Sequence, residues 1–187
     1  MYSQLLKPHL GRIYPCALEE VRQNIQKELR IIDTLEPFDM VVLSPGPGSP
    51  KDFHLDATIA EILHRNLAIF GVCLGLQAIV QYYGGQLEQL SIPVHGKSSI
   101  VTATNSSQLF KLLPTNFKVG RYHSLYATKD NFPECLQFTA ETEDGIIMAI
   151  EHNQLPIFAV QFHPETILSL EGSFGNKLIA AVMALIK

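Results

Sequence analysis

Apolar residues recur along this chain at two different periods, and the change between them divides it. Leu18, Val21, Ile25, Leu29 and Ile32 keep helical spacing until Pro37. Met40-Val41-Val42-Leu43 is then a short unbroken apolar run of the buried-strand kind. Ser44-Pro45-Gly46-Pro47-Gly48-Ser49-Pro50 follows, a loop that neither helix nor sheet can absorb. Leu55, Ile59, Ile62 and Leu63 mark a second helix, and residues 67–70 a second buried strand. After Gly71-Val72-Cys73-Leu74-Gly75, helical spacing resumes at Leu76, Ile79, Val80 and Tyr83 and closes at Gly84-Gly85.

The second half changes character. Residues 98–103, 117–127, 136–140, 146–150 and 157–162 are β-rich, with Asp144-Gly145 as a hairpin turn, and a last helix runs through Phe174, Leu178, Val182 and Ile186. Alternating helices and strands followed by a strand meander predict an open, doubly wound α/β sheet, mainly parallel, with an antiparallel extension. In such sheets chemistry sits on the loops after strand C-termini. The two glycine-bearing loops lie there.

Composition narrows the picture. With 187 residues and neither repeat nor linker, the chain reads as a single domain, 1–187. Hydrophobic residues make up 47% and charged ones 17%, enough for a sizeable core and too few charges for a disordered chain. The 14 Lys and Arg are scattered and the net charge is -4, which argues against nucleic acid or an anionic membrane as partner. Residues 66–87 carry no formal charge over nearly a membrane span, but their glycines and glutamines read better as strand, turn and helix. Three widely spaced cysteines, Cys16, Cys73 and Cys135, fit neither a disulfide framework nor a zinc pattern, and point to a reducing, cytoplasmic setting. No His/Cys/Asp/Glu cluster has metal-ligand spacing.

Cys73 carries the sharpest chemistry. Glycines on both sides let the chain turn sharply from strand to helix, leaving a nucleophile on a strained elbow at a helix N-terminus. The helix dipole and free N–H groups favour a thiolate at such a position, and the N–H of Leu74 can face an oxyanion. Most unpaired cysteines are merely buried and inert, so the elbow alone leaves function about even with structure. His163-Pro164-Glu165 closes the last apolar strand. Side chains two apart on an extended segment share a face, so the carboxylate can orient the imidazole and the imidazole can take the Cys73 proton. A surface His beside a surface Glu is the plainer reading of that pair by itself. Gly46 or Gly48 offers a second oxyanion donor, though a lone Gly/Pro loop is ordinarily just a turn. His54, His64, His95, His123 and His152, like Cys16 and Cys135, carry no comparable setting.

Four spaced motifs now agree with one family. Ser44-Pro45-Gly46-Pro47-Gly48, residues 71–77, Tyr122-His123-Ser124-Leu125 and Val160-Gln161-Phe162-His163-Pro164-Glu165 resemble, in order, those of class I (triad-type) glutamine amidotransferases. His95-Gly96-Lys97 and Arg121 resemble the chorismate-using branch, the amidotransferase component of anthranilate synthase. Leu76 and residues 172–185 look most like versions fused to the chorismate-binding component.

The resemblance implies a flavodoxin-like amidotransferase fold with Cys73 as nucleophile, His163 as base and acid, and Glu165 as orienter. It implies an oxyanion hole from Gly46 and Leu74, and glutamine binding by Gly46, Pro47, Gly48, Gln77, Ser124 and Leu125. Its partners would be L-glutamine and a chorismate-binding synthase component, with Mg2+ only in that component and no cofactor here. Its location would be cytoplasmic, or plastid in a plant. The alternatives are service to another acceptor such as aminodeoxychorismate, a non-catalytic scaffold subunit, and, disfavoured by Gln77 and residues 122–125, a hydrolase with the same elbow.

One departure stands out. The family opens with an apolar strand ending in an Asp-Asn-x-Asp-Ser-Phe-like segment, and residues 1–16 contain none. A truncated chain, a divergent replacement by residues 5–14, or a strand lent by a partner would each account for it. Thr166, where Ser is commoner, is a mild change.

Overall fold

In a computed structural model, residues 39–169 and 173–186 are described. The helix expected over Leu18–Ile32, Cys16 and the question of the first strand lie outside them. The described strands are β1 (Met40–Leu43), β2 (Ala68–Val72), β3 (Leu87–Ala103), β4 (Asn116–Ala127), β5 (Leu136–Thr142), β6 (Ile147–His152) and β7 (Ile157–Val160). The helices are α1 (Leu55–His64), α2 (Leu74–Tyr82) and α3 (Phe174–Leu185). The strands form one seven-stranded sheet in the order β1-β2-β7-β6-β5-β3-β4.

Pairing is parallel from β1 through β2 to β7 and antiparallel from β7 onward. The open α/β sheet is the expected one, but its antiparallel part is the larger share of the described strands. Alternation along β2 and β7 explains the layering: Phe70, Val72, Phe158 and Val160 join one apolar cluster, Ile69, Ile157 and Ala159 the other. Phe174, Leu178 and Val182 of α3 cover the first face. Leu55, Ile59 and Ile62 of α1, with Leu76, Ile79 and Val80 of α2, cover the second. Strands buried on both faces need no polar alternation, which is why β2 reads as continuous hydrophobic sequence.

Strand boundaries differ from the pattern in several places: β2, β5 and β6 each run two residues further than expected, to Val72, Thr142 and His152. β3 begins at Leu87, eleven residues before the expected 98, and is largely exposed where it pairs with the more buried β4. Its polar stretch has no apolar alternation because antiparallel pairing with β4, rather than burial, satisfies its backbone. β7 stops at Val160 instead of 162. The Asp144-Gly145 turn does join β5 to β6, with Gly145 at φ +76° and its N–H donating to the Thr142 carbonyl at 2.8 Å.

Candidate active site

The loops converge because their strands are neighbours in matched register. Leu43 pairs with Gly71, and Val72 with Val160, so residues 44–50, 73 and 161–165 all leave the same edge of the parallel strands. Cys73 caps α2 at φ 54°, ψ -99°, a conformation that costs a side-chain-bearing residue energy and is held by its surroundings. Its N–H donates to the Val160 carbonyl at 2.8 Å and its carbonyl accepts from Gln77 N at 3.2 Å. Close packing fixes the turn: a Cβ on Gly71 would stand 2.7 Å from the Gly75 carbonyl carbon, so only glycine lets the strand and helix meet.

The sequence-predicted residues largely come together. His163 Nδ1 lies 2.6 Å from Glu165 Oε1. Extended-strand geometry is not the reason, since Pro164 and Glu165 form a turn. The turn is moored instead: His163 N donates to Gly120 O at 3.1 Å, and Thr166 Oγ1 to His163 O at 3.0 Å. Thr166 therefore does the anchoring that Ser would. The ring also meets Tyr122 edge-on, centroids 5.3 Å apart.

His163 Nε2 is buried without a fully formed hydrogen bond, although the Cys73 thiol is near enough to act on the ring. Burial alone would depress the imidazole's pKa. Attraction to the nearby Cys73 sulfur, with the Nδ1 hydrogen bond to Glu165 and its charge, outweighs it and raises the pKa to about 9. The ring thus holds its proton at neutral pH, suited to pairing with a thiolate and to protonating a leaving nitrogen.

Gly46 and Leu74 adjoin, since a Cβ on Gly46 would stand 2.9 Å from Leu74 Cδ2. Leu74 opens α2, so its N–H lacks an intrahelical acceptor. Pro47 and Gly48 are exposed on the same loop, Gly48 at φ +77°. Gln77 is buried and donates through Nε2 to Leu125 O at 3.0 Å and to Gln161 Oε1 at 3.2 Å; neither bond uses its Oε1. β3 and β4 slip register between the Gln89–Leu125 and Val94–His123 pairs, so Ser124 has no ladder partner among the described residues. Its hydroxyl meets His95 Nε2 at 3.2 Å.

Three further residues, quoted in the sequence only as parts of motifs and given no role there, border the site. Gln161 is fully buried and its Nε2 donates to Cys73 Sγ at 3.4 Å. His123 accepts from Arg121 Nε at 3.1 Å and reaches Leu125 O at 2.9 Å. Burial is the main reason its pKa falls to about 4, so it is neutral here. Tyr122 flanks the His163 ring. Their places in the 122–125 and 160–165 motifs, and a glutamine inside an apolar strand run, were the available signals, and neither says what the side chains touch. Among the described residues, no group of three or more His, Cys, Asp or Glu could hold a metal ion, and no helix is long and apolar enough to cross a membrane.

The class I glutamine amidotransferase family model matches residues 4–180. The chain belongs to this family. It is 38% identical over 159 residues to the Aminodeoxychorismate/anthranilate synthase component 2 of Bacillus subtilis, covering 85% of this chain and 79% of that protein. It is 54% identical over 145 residues to the Anthranilate synthase of Azospirillum brasilense, covering 78% of this chain. The amidotransferase chain spans only 20% of that longer protein. A solved glutamine amidotransferase from Thermotoga maritima superposes with a TM-score of 0.69 at 14% identity, over 88% of this chain and 92% of that one, which shows the shared fold.

Proposed function

We propose that this amidotransferase hydrolyses L-glutamine and delivers the ammonia to a chorismate-using synthase component, as in anthranilate synthesis. The observation that carries the reading is the juxtaposition of a strained Cys73 elbow with a His163 whose Nδ1 is held 2.6 Å from Glu165. Cys73 thiolate attacks the side-chain amide carbon, and the Gly46 and Leu74 N–H groups receive the oxyanion. His163 Nε2 passes its proton to the amide nitrogen as the C–N bond breaks, releasing ammonia and leaving a γ-glutamyl thioester. Water, giving a proton to the same nitrogen, attacks the thioester, and C–S cleavage restores the thiolate and frees glutamate. Gln77 Oε1 and the Ser124–Leu125 backbone are assigned to the amino-acid end of glutamine, with Pro47 and Gly48 lining the entrance.

Ammonia is mostly protonated in neutral water, so it needs a sheltered path to its acceptor, and a synthase partner, separate or fused, supplies the other end. The names of the Azospirillum and Bacillus relatives support chorismate chemistry. The Bacillus name also carries aminodeoxychorismate, which keeps that acceptor as the second reading. A scaffold role is disfavoured because Cys73, at φ 54° and ψ -99°, lies outside the left-handed region that His54 and Ser173 occupy, and stores strain for which a scaffold has no use.

Two measurements test the proposal. A glutamine-mimicking diazoketone should add once to the wild-type chain and not to Cys73→Ala, by intact mass. With the chorismate-binding component present, Cys73→Ser should lose glutamine-dependent synthesis by about a thousandfold or more while ammonia-dependent synthesis survives. Equal loss of both would overturn the assignment.

A further inference from the structure

We propose that Gln161 is a positioning residue for Cys73: its side-chain amide, held in one orientation by Gln77, donates to the sulfur and fixes it for attack. The inference rests on the glutaminase reading and adds a residue to its machinery.

The direction of each bond is determined. Arg121 Nε can only donate, so His123 accepts at Nε2 and carries its proton on Nδ1, which donates to Leu125 O at 2.9 Å. The same carbonyl accepts from Gln77 Nε2 at 3.0 Å, which fixes the Gln77 amide. Its second N–H donates to Gln161 Oε1 at 3.2 Å. Gln161 therefore presents Nε2 to Cys73 Sγ, at 3.4 Å. Turning the Gln161 amide over would set two NH2 groups against each other, and an oxygen against the sulfur once it is a thiolate. The first is not tolerated in either state of the sulfur in a site where Gln161 is fully buried.

The backbone holds the donor as firmly. Gln161 N donates to Met148 O at 2.9 Å, while Cys73 N donates to Val160 O at 2.8 Å, so thiol and amide are carried on adjacent strand ends. A carboxamide donor to a thiolate stabilises the charge without titrating. It also removes rotamers in which the sulfur would point away from the substrate carbon. His163 supplies the proton chemistry on another side, so the two neighbours divide the work. The chain of bonds further links the sulfur to Leu125, the segment assigned to glutamine.

The test uses Gln161→Met, which keeps volume without the donor, and Gln161→Leu as a second apolar variant. Iodoacetamide is the probe, because it reads the sulfur without needing the glutamine pocket. Site-resolved peptide mass spectrometry separates Cys73 from Cys16 and Cys135. Glutaminase kcat and KM are measured with the chorismate-binding component present.

We expect Cys73 alkylation and kcat to fall together by about 10- to 100-fold, as for loss of a charge-assisted hydrogen bond, in a variant that melts like wild type. Unchanged alkylation with a raised KM would overturn the proposal, since Gln161 would then serve only to brace Gln77. Unchanged alkylation and kcat would overturn it outright. A wild-type chain that alkylates in a Gln161-dependent way yet hydrolyses no glutamine would instead overturn the glutaminase reading and leave the sulfur contact standing.

Discussion

Glu165 Oε1 sits 2.6 Å from His163 Nδ1, with only Pro164 between the two residues. The contact and the nearby Cys73 raise the His163 pKa to about 9, against burial, which would lower it. A histidine raised above its unfolded value of about 6.5 stabilises the fold fully below that value and loses the contribution as pH rises through the folded one. Glu165→Gln should therefore cost about 1–2 kcal/mol near pH 6, with the gap narrowing as pH rises from about 6.5 and closing by about pH 9. Urea melts across that range check it. A gap independent of pH would count against the pairing.

His123 runs the other way. Burial holds its pKa down to about 4, so the unfolded chain takes up a proton first as pH falls from about 6.5. Stability should drop over that window by up to about 1.4 kcal/mol per pH unit, and His123→Gln should flatten the slope. Together the two histidines place the stability maximum near about pH 6.5. A melting temperature still rising steadily from pH 7 to 9 would contradict the His163 assignment, and one that does not fall from about pH 6.5 to 5 would contradict that of His123.

Gly75 is fixed by contact, since a Cβ there would collide with the Leu43 carbonyl oxygen and stand 2.9 Å from Leu43 Cβ. Backbone cannot step aside as a side chain can. Gly75→Ala should cost about 2–3 kcal/mol by overpacking, and lower kcat more than tenfold by tilting the α2 N-terminus that carries Cys73. Gly84→Ala is the contrast: φ is +90° but the space around it is open, so about 1 kcal/mol and no change in kcat are expected. Thermal melts and steady-state assays on both variants decide it.

Glu151 holds a loop remote in sequence from the site. Its buried carboxylate accepts from Ser107 Oγ at 2.6 Å, Gln108 N at 3.0 Å and Leu109 N at 3.2 Å. An amide would turn an NH2 toward those donors. Glu151→Gln should lose about 2–4 kcal/mol in urea denaturation while keeping the wild-type KM for glutamine. A neutral substitution would mean the loop needs no anion.

Local chemistry was readable directly from the sequence. Gly71-x-Cys73-x-Gly75 between a buried strand and an amphipathic helix specifies its own turn, because close approach excludes a side chain at Gly71 and at Gly75. His163 and Glu165 were legible as a pair, but the reason was not: a turn moored to Gly120 joins them, where the spacing suggested a strand. The polar first half of β3 gave no strand signal, because its hydrogen bonds come from β4 and not from a buried face.

The sequence by itself determined the elbow, the order of strands and helices, and the family. Only the tertiary structure decided that Gln161 would touch Cys73, that Gln77 would orient it, and that Ser124 would stand outside the ladder. The physical reason is range. Turn and helix preferences act over a few residues and are written locally, whereas a side-chain amide's partner 84 positions away is chosen by strand register, which no short stretch encodes.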